Sequence, residues 1–361
     1  MTVLELTEGF DSLLSDGIEA SERGNARRLA LGTKGTIHWV DSWKTWIVFE
    51  NGHWVYDHNS VRVMQEASKV VSYLFDLTEN RKPDPDTFAK AKNDAKEGKE
   101  TDATIAVELY KAYLTHAKKS NSEPMMRRMV NLARGIEGIT VSDTEIDAKP
   151  WLFNVGGYTL DLDKMEARDP DPGDLLMQKS DVLFDPQATC PLWDRLVEEW
   201  QPDPEIRLFL QKVCGSILTG IPVQKLFINL GEGQNGKSVF YDTLKNVLGT
   251  YAVIPDDSLF VSNKNDAHSE ELAKLKGARM MVVGETAQGG RLNEPAVKRY
   301  TGGDQINARH LYGKPFSFVP THTAFLHTNH EPSISGTDVG IWRRVCIIPW
   351  SVQITDRKKD D

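Results

Sequence analysis

The sequence is poor in cysteine, and the few it has are scattered. Cys190, Cys214 and Cys346 have no CxxC or HxC companion. An odd, scattered set gives no disulfide framework and cannot by itself provide the four ligands of a structural zinc site. We therefore interpret the three as buried or incidental thiols and expect no zinc-ribbon module.

Long apolar runs are also missing. No run approaches the roughly 20 residues that a membrane-spanning helix needs. The first residues, MTVLELTEGFDSLLSDG, are acidic and lack the basic-then-apolar plan of a signal peptide. A cytoplasmic location with no membrane partner is the expectation.

Basic residues are outnumbered by acidic ones, so the net charge is −9 over 361 residues. This balance argues against a protein that binds DNA over its whole surface. It does not exclude one that holds DNA at a few basic points inside a ring. The length allows two or three domains.

Tryptophan is present in an early strand-like region. Three strand-like segments follow one another at 36–40, 45–49 and 53–56. Asn51-Gly52 between the last two is a strong hairpin signal. Aromatic side chains on strands could stack on nucleic-acid bases. The interpretation that we favour is a small sheet that buries Trp39, Trp46 and Trp54.

The next part of the chain is expected to be mainly helical. The pattern is helical from about 65 to 135, and a basic helix face there could touch phosphates, although a solvated surface is favoured. Its basic residues are Lys118, Lys119, Arg127, Arg128 and Arg134. A helix opening at Asp203-Pro204 and running to about Thr219 follows a Pro/Asp-rich connector. We predict three regions, bounded as 1–78, 79–200 and 201–361.

The strongest motif is a phosphate loop. The apolar run Lys225–Leu230 is typical of a buried parallel strand, and helical periodicity follows the motif and stops at Gly249. Strand, glycine-rich loop and helix are the context that this motif needs. The eight residues that match GxxxxGK[ST] are Gly231, Glu232, Gly233, Gln234, Asn235, Gly236, Lys237 and Ser238.

This motif predicts that the chain binds ATP with Mg²⁺. Backbone N–H groups of such a loop can surround an anion, and the helix N-terminus adds partial positive charge. Lys237 can reach the β and γ phosphates, and Ser238 can ligate Mg²⁺.

Two further apolar segments each end in a polar residue. The run MMVV leads to Glu285, which could polarise water or hold Mg²⁺. The segment AFLHT leads to Asn329, which could orient the attacking water. Glu285 could instead be a surface glutamate, and Asn329 could simply sit in a turn.

Basic residues at two places suggest contacts with DNA and with a neighbouring subunit. Alternation around Tyr312-Gly313-Lys314 predicts a β-hairpin, and its tip could touch DNA through Lys314 with help from Arg309 or His310. An ordinary exposed hairpin would look the same. Arg343 and Arg344 precede the run VCIIP, where an arginine could reach a neighbour's γ-phosphate or pair with a local carboxylate.

The order GEGQNGKS, RMMVVGE, KRYTGGDQINARHLYG, FLHTN and IWRR resembles the superfamily 3 helicases. It is most similar to their phage and plasmid branch, which is related to the poxvirus primase–helicase. The resemblance spans roughly residues 25–350. It implies an α/β fold with a P-loop NTPase, AAA+-like core and a central, mainly parallel sheet. A mainly helical region and a small β-rich N-terminal piece would precede this core.

The resemblance also implies a ring, usually a hexamer, that binds ATP between subunits and acts on single-stranded or forked DNA. Lys237 and Ser238 would be the Walker A pair, Glu285 the Walker B carboxylate and Asn329 the sensor. Arg344 or Arg343 would be the arginine finger, and Lys314 would lie on the DNA-contacting hairpin.

The chain departs from this pattern in two ways. One carboxylate, Glu285, stands where many relatives have two, so Asp304 would have to assist if Glu285 cannot serve both metal and water. Relatives also continue past residues 345–349, so a primase or polymerase partner is expected on another chain. The alternative functions are an ATP-dependent initiator or loader that assembles on DNA without processive unwinding and, less favoured, a small-molecule P-loop kinase.

Overall fold

The computed structural model describes residues 18, 20–255, 260, 269–284, 291–309, 315–334 and 339–354. Contacts group the chain into two compact units. The first is made of residues 1–49 and 55–142, and the second of residues 50–54 and 143–361. These units divide the chain differently from the three regions predicted, and residue 78 falls inside a helix that ends at Asn80.

The first unit packs helices against a small sheet. Its helices are Glu22–Gly32 (α1), Val61–Asn80 (α2), Pro85–Lys96 (α3), Asp102–Ser120 (α4) and Glu123–Ala133 (α5). The strands of this sheet are Ile37–Val40 (β1), Thr45–Glu50 (β2), His53–Asp57 (β3) and Thr140–Val141 (β4), of which residues 50–54 are grouped with the second unit. The strand order is β3-β2-β1-β4, with β4 parallel to β1.

The early sheet buries its tryptophans, as the favoured interpretation predicted. Trp39, Trp46 and Trp54 are 6%, 0% and 1% exposed, so stacking on nucleic-acid bases is not open to them. The turn between β2 and β3 has positive φ at both central residues, 49° at Asn51 and 82° at Gly52. This is the backbone that an Asn-Gly hairpin turn requires.

The second unit holds a small antiparallel sheet and a larger parallel one. The small sheet consists of Leu152–Val155 (β5), Tyr158–Asp161 (β6) and Glu166–Arg168 (β7). The larger sheet consists of Leu226–Leu230 (β8), Ala252–Val253 (β9), Met280–Val283 (β10), Thr323–Thr328 (β13) and Val345–Pro349 (β14). Ile306–Arg309 (β11) and Pro315–Phe318 (β12) form a separate antiparallel hairpin.

Helices of the second unit flank the larger sheet. They are Pro191–Trp200 (α6), Pro204–Ser216 (α7), Lys237–Leu248 (α8), Ser269–Ala273 (α9), Glu294–Thr301 (α10) and Val339–Trp342 (α11). Asp203 caps α7 by accepting from the Glu205 N–H at 2.8 Å, and the helix ends three residues before the predicted Thr219.

The strand order of the larger sheet is β14-β8-β13-β10-β9, and each adjacent pair is parallel. The strand that leads into the phosphate loop, β8, therefore lies between the two strands that come last in the chain. The predicted central parallel sheet is confirmed.

Both faces of this sheet are covered, which explains why its strands are nearly continuous apolar runs. On one face, Leu226 and Ile228 pack with Met281, Leu326 and the β11–β12 hairpin. On the other face, Phe227 packs with the helices that carry the aromatic side chains Trp200, Phe240 and Tyr241. Among the described residues, no helix is both long and apolar enough to cross a membrane.

Candidate nucleotide-binding site

The phosphate loop joins the carboxyl end of β8 to the first turn of α8. Helix α8 begins at Lys237 and ends at Leu248, and Gly249 stops it as predicted. Two loop residues adopt left-handed backbone, with φ of 62° at Gln234 and 81° at Gly236. A loop of this kind, placed at a helix N-terminus, turns backbone N–H groups toward a common anion position.

Gly236 is pressed against Trp200, the last residue of helix α6. A Cβ atom at this position would lie only 2.3–2.4 Å from the indole ring of Trp200. Trp200 is itself 2% exposed and makes an edge-to-face contact with Trp193, which stacks on Phe240. The loop therefore packs against an aromatic layer of Trp200, Trp193 and Phe240, which the motif alone does not predict.

Lys237 joins two parts of the predicted site that lie far apart in sequence, the phosphate loop and Asn329. Its ammonium group donates to the Gly231 carbonyl at 3.2 Å, the Thr328 carbonyl at 3.1 Å and the Asn329 Oδ1 at 3.2 Å. The side chain is only 5% exposed. The structure therefore places the phosphate-loop lysine in direct contact with Asn329.

A buried polar cluster lies behind the loop on the same face of the sheet as α8. The Oδ1 of Asn229 accepts from the Tyr241 hydroxyl at 2.8 Å and from the Trp350 indole N–H at 3.0 Å. His327 pairs with Asn229 across the two strands, and its ring centroid is 4.5 Å from that of Tyr241. This cluster was not predicted from the sequence, although polar residues inside the apolar runs of β8 and β13 were a signal.

The electrostatics of this cluster keep its groups uncharged. Burial lowers the pKa of His327 to about 4, and the positive charge of Lys237 acts in the same direction. Burial raises the pKa of the Tyr241 hydroxyl well above its usual range. At neutral pH, His327 and Tyr241 are therefore both uncharged, and neither adds negative charge beside Lys237, which suits a site for a phosphate anion.

The predicted arginine finger lies away from this chain's own phosphate loop. Arg343 and Arg344 directly precede β14, and Val345 pairs with Leu226 at the start of β8. The loop instead follows the end of β8, so the arginines and the loop are separated by the length of a strand, roughly 13–17 Å. Arg343 is exposed, whereas the half-buried Arg344 donates to the Gly340 carbonyl at 2.9 Å.

Several predicted site residues lie outside the described part of the chain. These are Glu285, His310 and Lys314. Gly284 follows β10 at the same edge of the sheet as Asn329, because β10 and β13 are parallel. The predicted β-hairpin is confirmed in its strands, and the exposed Arg309 ends β11 opposite Pro315.

The predicted metal ligands are likewise only partly visible. Ser238 is exposed in the first turn of α8, next to Lys237. The described residues contain no group of three or more His, Cys, Asp or Glu side chains that could hold a metal. A Mg²⁺ site of one hydroxyl, one carboxylate and the phosphates of a nucleotide would not need such a group.

Comparison with known families matches two parts of the chain. Residues 26–202 match the family described as D5 N terminal like. Residues 230–344, which include the whole phosphate loop, match a family of unknown function.

Curated relatives come from large DNA viruses. A protein of Acanthamoeba polyphaga mimivirus, provisionally named a helicase, is 26% identical over 350 residues, which cover 94% of this chain and 35% of that protein. A protein of African swine fever virus, provisionally named a primase, is 27% identical over 213 residues, covering 55% of this chain and 22% of that protein. The chain thus spans about a third or less of the length of these relatives.

Among solved structures, the chain is similar to the apo C terminal region of NrS-1. The two share 12% identity with a TM-score of 0.48, over 97% of this chain and 62% of that one. A likeness at this level is too weak to support an argument.

Proposed function

Because the chain belongs to the primase–helicase family of phages and large DNA viruses, we propose that it is a superfamily 3 helicase motor driven by ATP hydrolysis. The observation that carries the proposal is the contact of Lys237 with Asn329 at the mouth of a strand–loop–helix phosphate site. Helicase and primase names among the relatives support a role in DNA replication.

Lys237 is the residue that would respond first to a nucleotide. Its ammonium group has three donors, and three protein oxygens accept from it. Of these acceptors, none carries a formal charge, so a phosphate oxygen would attract Lys237 more strongly than they do. Movement of Lys237 toward a nucleotide would release the Asn329 side chain, which could then orient an attacking water.

The metal chemistry would come from Mg²⁺ bound by Ser238 and Glu285 together with the nucleotide, where it would neutralise charge on the phosphates. The position of Ser238 in the first turn of α8 supports this role. An arginine would stabilise the negative charge that develops on the transferred phosphate.

A second copy of the chain would supply that arginine. Arg343 and Arg344 lie at the opposite edge of the sheet from their own loop, so they could complete a site only on a neighbour. Head-to-tail packing repeated around an axis closes a ring. We propose that the chain forms a homo-hexameric ring on single-stranded or forked DNA. In this proposal the β11–β12 hairpin contacts the DNA through Lys314, Arg309 and His310.

The proposal is tested by ATP hydrolysis with and without single-stranded DNA, in the wild type and in Lys237→Ala. DNA-stimulated hydrolysis that disappears in Lys237→Ala supports the motor. Hydrolysis that survives the substitution would contradict the proposed site. ATP binding and ring formation without DNA-stimulated hydrolysis would favour an initiator or loader that assembles on DNA.

A further inference from the structure

We propose that residues 350–354, here called the strap, are part of the nucleotide site. Ile354 of the strap and Asn235 of the loop are the positioning residues of this site. The strap follows β14 and lies against the phosphate loop, more than 100 residues away in sequence. It holds the Gln234 carbonyl away from the anion position and binds the side chain of Asn235. The inference rests on the proposed function, since it concerns how the same loop binds a nucleotide.

Three carbonyl groups of the loop accept hydrogen bonds from protein donors. The Gln234 carbonyl accepts from the Ile354 N–H at 2.7 Å. The Glu232 carbonyl accepts from the Asn235 side-chain amide at 2.5 Å. The Gly231 carbonyl accepts from Lys237.

The direction of each carbonyl decides the direction of the next N–H group. A peptide unit is planar and trans, so its C=O and N–H point to opposite sides. With the Gln234 carbonyl directed to the strap, the N–H of Asn235 faces the other way. Phosphate binding needs N–H groups turned toward the anion and carbonyl oxygens turned away from it.

The strap itself is fixed at several points. The Trp350 N–H donates to the Leu230 carbonyl at 2.7 Å, and the Trp350 carbonyl accepts from the Asn235 side chain at 3.1 Å. The side-chain amide of Gln201 donates to the Pro349 carbonyl at 2.9 Å. Trp350 is 1% exposed, so its indole also anchors the segment in the core.

Loop and strap are packed too closely to move independently. A Cβ atom added at Gly231 would lie 2.2 Å from the Trp350 carbonyl oxygen and 2.6 Å from the Asn235 side chain. Asn235 contacts both segments, and its Oδ1 also accepts from the Lys237 backbone N–H at 3.2 Å. Displacing the strap would therefore release the loop from its phosphate-binding conformation.

The experiment measures ADP binding by titration calorimetry, because ADP is not hydrolysed. Ile354→Pro removes the N–H donor, whereas Ile354→Ala shortens the side chain further but keeps the donor. Loss of one hydrogen bond predicts that ADP binds about three- to tenfold more weakly to Ile354→Pro than to Ile354→Ala. At saturating ATP, the two kcat values should differ less than the two affinities.

A second measurement needs no proline and covers the case in which Ile354→Pro fails to fold. Hydrogen exchange at the Ile354 amide should be slow in the wild type and clearly faster in Asn235→Ala, which loses the bond to Trp350. Equal ADP affinities for the two Ile354 variants, or equal exchange in Asn235→Ala and wild type, would overturn the strap's role while leaving the nucleotide site intact. A wild type that binds no ADP would overturn the proposed function and this inference together.

Discussion

At the scale of single residues, Gly236 is a position where the phosphate loop tolerates little change. Its φ of 81° is unfavourable for other residues, and a Cβ atom there would overlap the Trp200 ring. We expect Gly236→Ala to lower the free energy of unfolding by about 2–4 kcal/mol, from left-handed backbone and overpacking together. Urea denaturation followed by circular dichroism measures the change.

Gly233 provides the matched control. A Cβ atom added there meets nothing within 4 Å, so Gly233→Ala should change stability by only about 0.5 kcal/mol. Equal losses in the two variants would mean that the indole contact at Gly236 does not limit the loop.

His322 links stability to pH at this scale as well. The ring is 1% exposed, its Nε2 lies 3.1 Å from the Tyr300 carbonyl, and burial lowers its pKa to about 4. Below pH 6.5 the unfolded chain binds a proton that the folded protein resists until about pH 4, so stability falls as the pH falls through this window. The expected loss from this one group between pH 7 and pH 5 is about 2 kcal/mol.

The measurement is the free energy of unfolding at several pH values in the wild type and in His322→Gln. Glutamine keeps a donor for the Tyr300 carbonyl but does not titrate. The stability of His322→Gln should therefore depend less on pH, although His327 still contributes. Parallel pH curves for the two proteins would show that His322 is not held neutral.

At the scale of elements, the N-terminal cap of α7 can be tested by comparing two substitutions in its first turn. Asp203 accepts from the Glu205 N–H, and Pro204 occupies the first turn. Asp203→Ala should cost about 1 kcal/mol, as loss of an N-cap usually does. Glu205→Ala removes an acidic side chain from the same turn and leaves the backbone donor in place, so it should cost only a few tenths of a kcal/mol. Thermal unfolding separates these outcomes, and equal shifts would mean that charge rather than capping stabilises the helix start.

Elements with a local signal could be predicted from the sequence. The β8–loop–α8 unit was predicted because an apolar run, a glycine-rich motif and a helical period follow one another without a gap. The tryptophan-rich sheet was predicted because Asn51-Gly52 fixes its hairpin. Helix α1 at 22–32 was not predicted, and its burial in the first unit depends on packing with distant helices.

The contacts that hold the phosphate loop from other segments had no comparable signal in the sequence. Trp200 contacts Gly236, and Ile354 contacts Gln234, only because the fold brings separate segments together. In the motif, Asn235 is a position open to any residue, yet its side chain bonds to both the loop and the strap. Long-range contacts of this kind leave no periodicity in the chain.

At the scale of the whole molecule, the position of the arginines predicts a shared catalytic site. Lys237→Ala and Arg344→Ala should each be inactive alone, because each removes one half of every site. In a random mixture, about a quarter of the interfaces would pair an intact loop with an intact arginine, so hydrolysis should return in part. The assay is ATP hydrolysis of the mixture against each variant alone. No recovery in freely exchanging subunits would place Arg344 outside the neighbour's site.

The strand order of the large sheet has a consequence for synthesis of the protein. Both neighbours of β8 come from about 100 residues or more downstream, at Thr323–Thr328 and Val345–Pro349. When β8 and its loop leave the ribosome, neither flanking strand has been translated. Contacts of such long sequence separation are slow to form and leave apolar surface exposed meanwhile. The nascent chain would therefore carry an open, aggregation-prone strand through much of its translation, and it could bind a nucleotide only after the last strand had emerged.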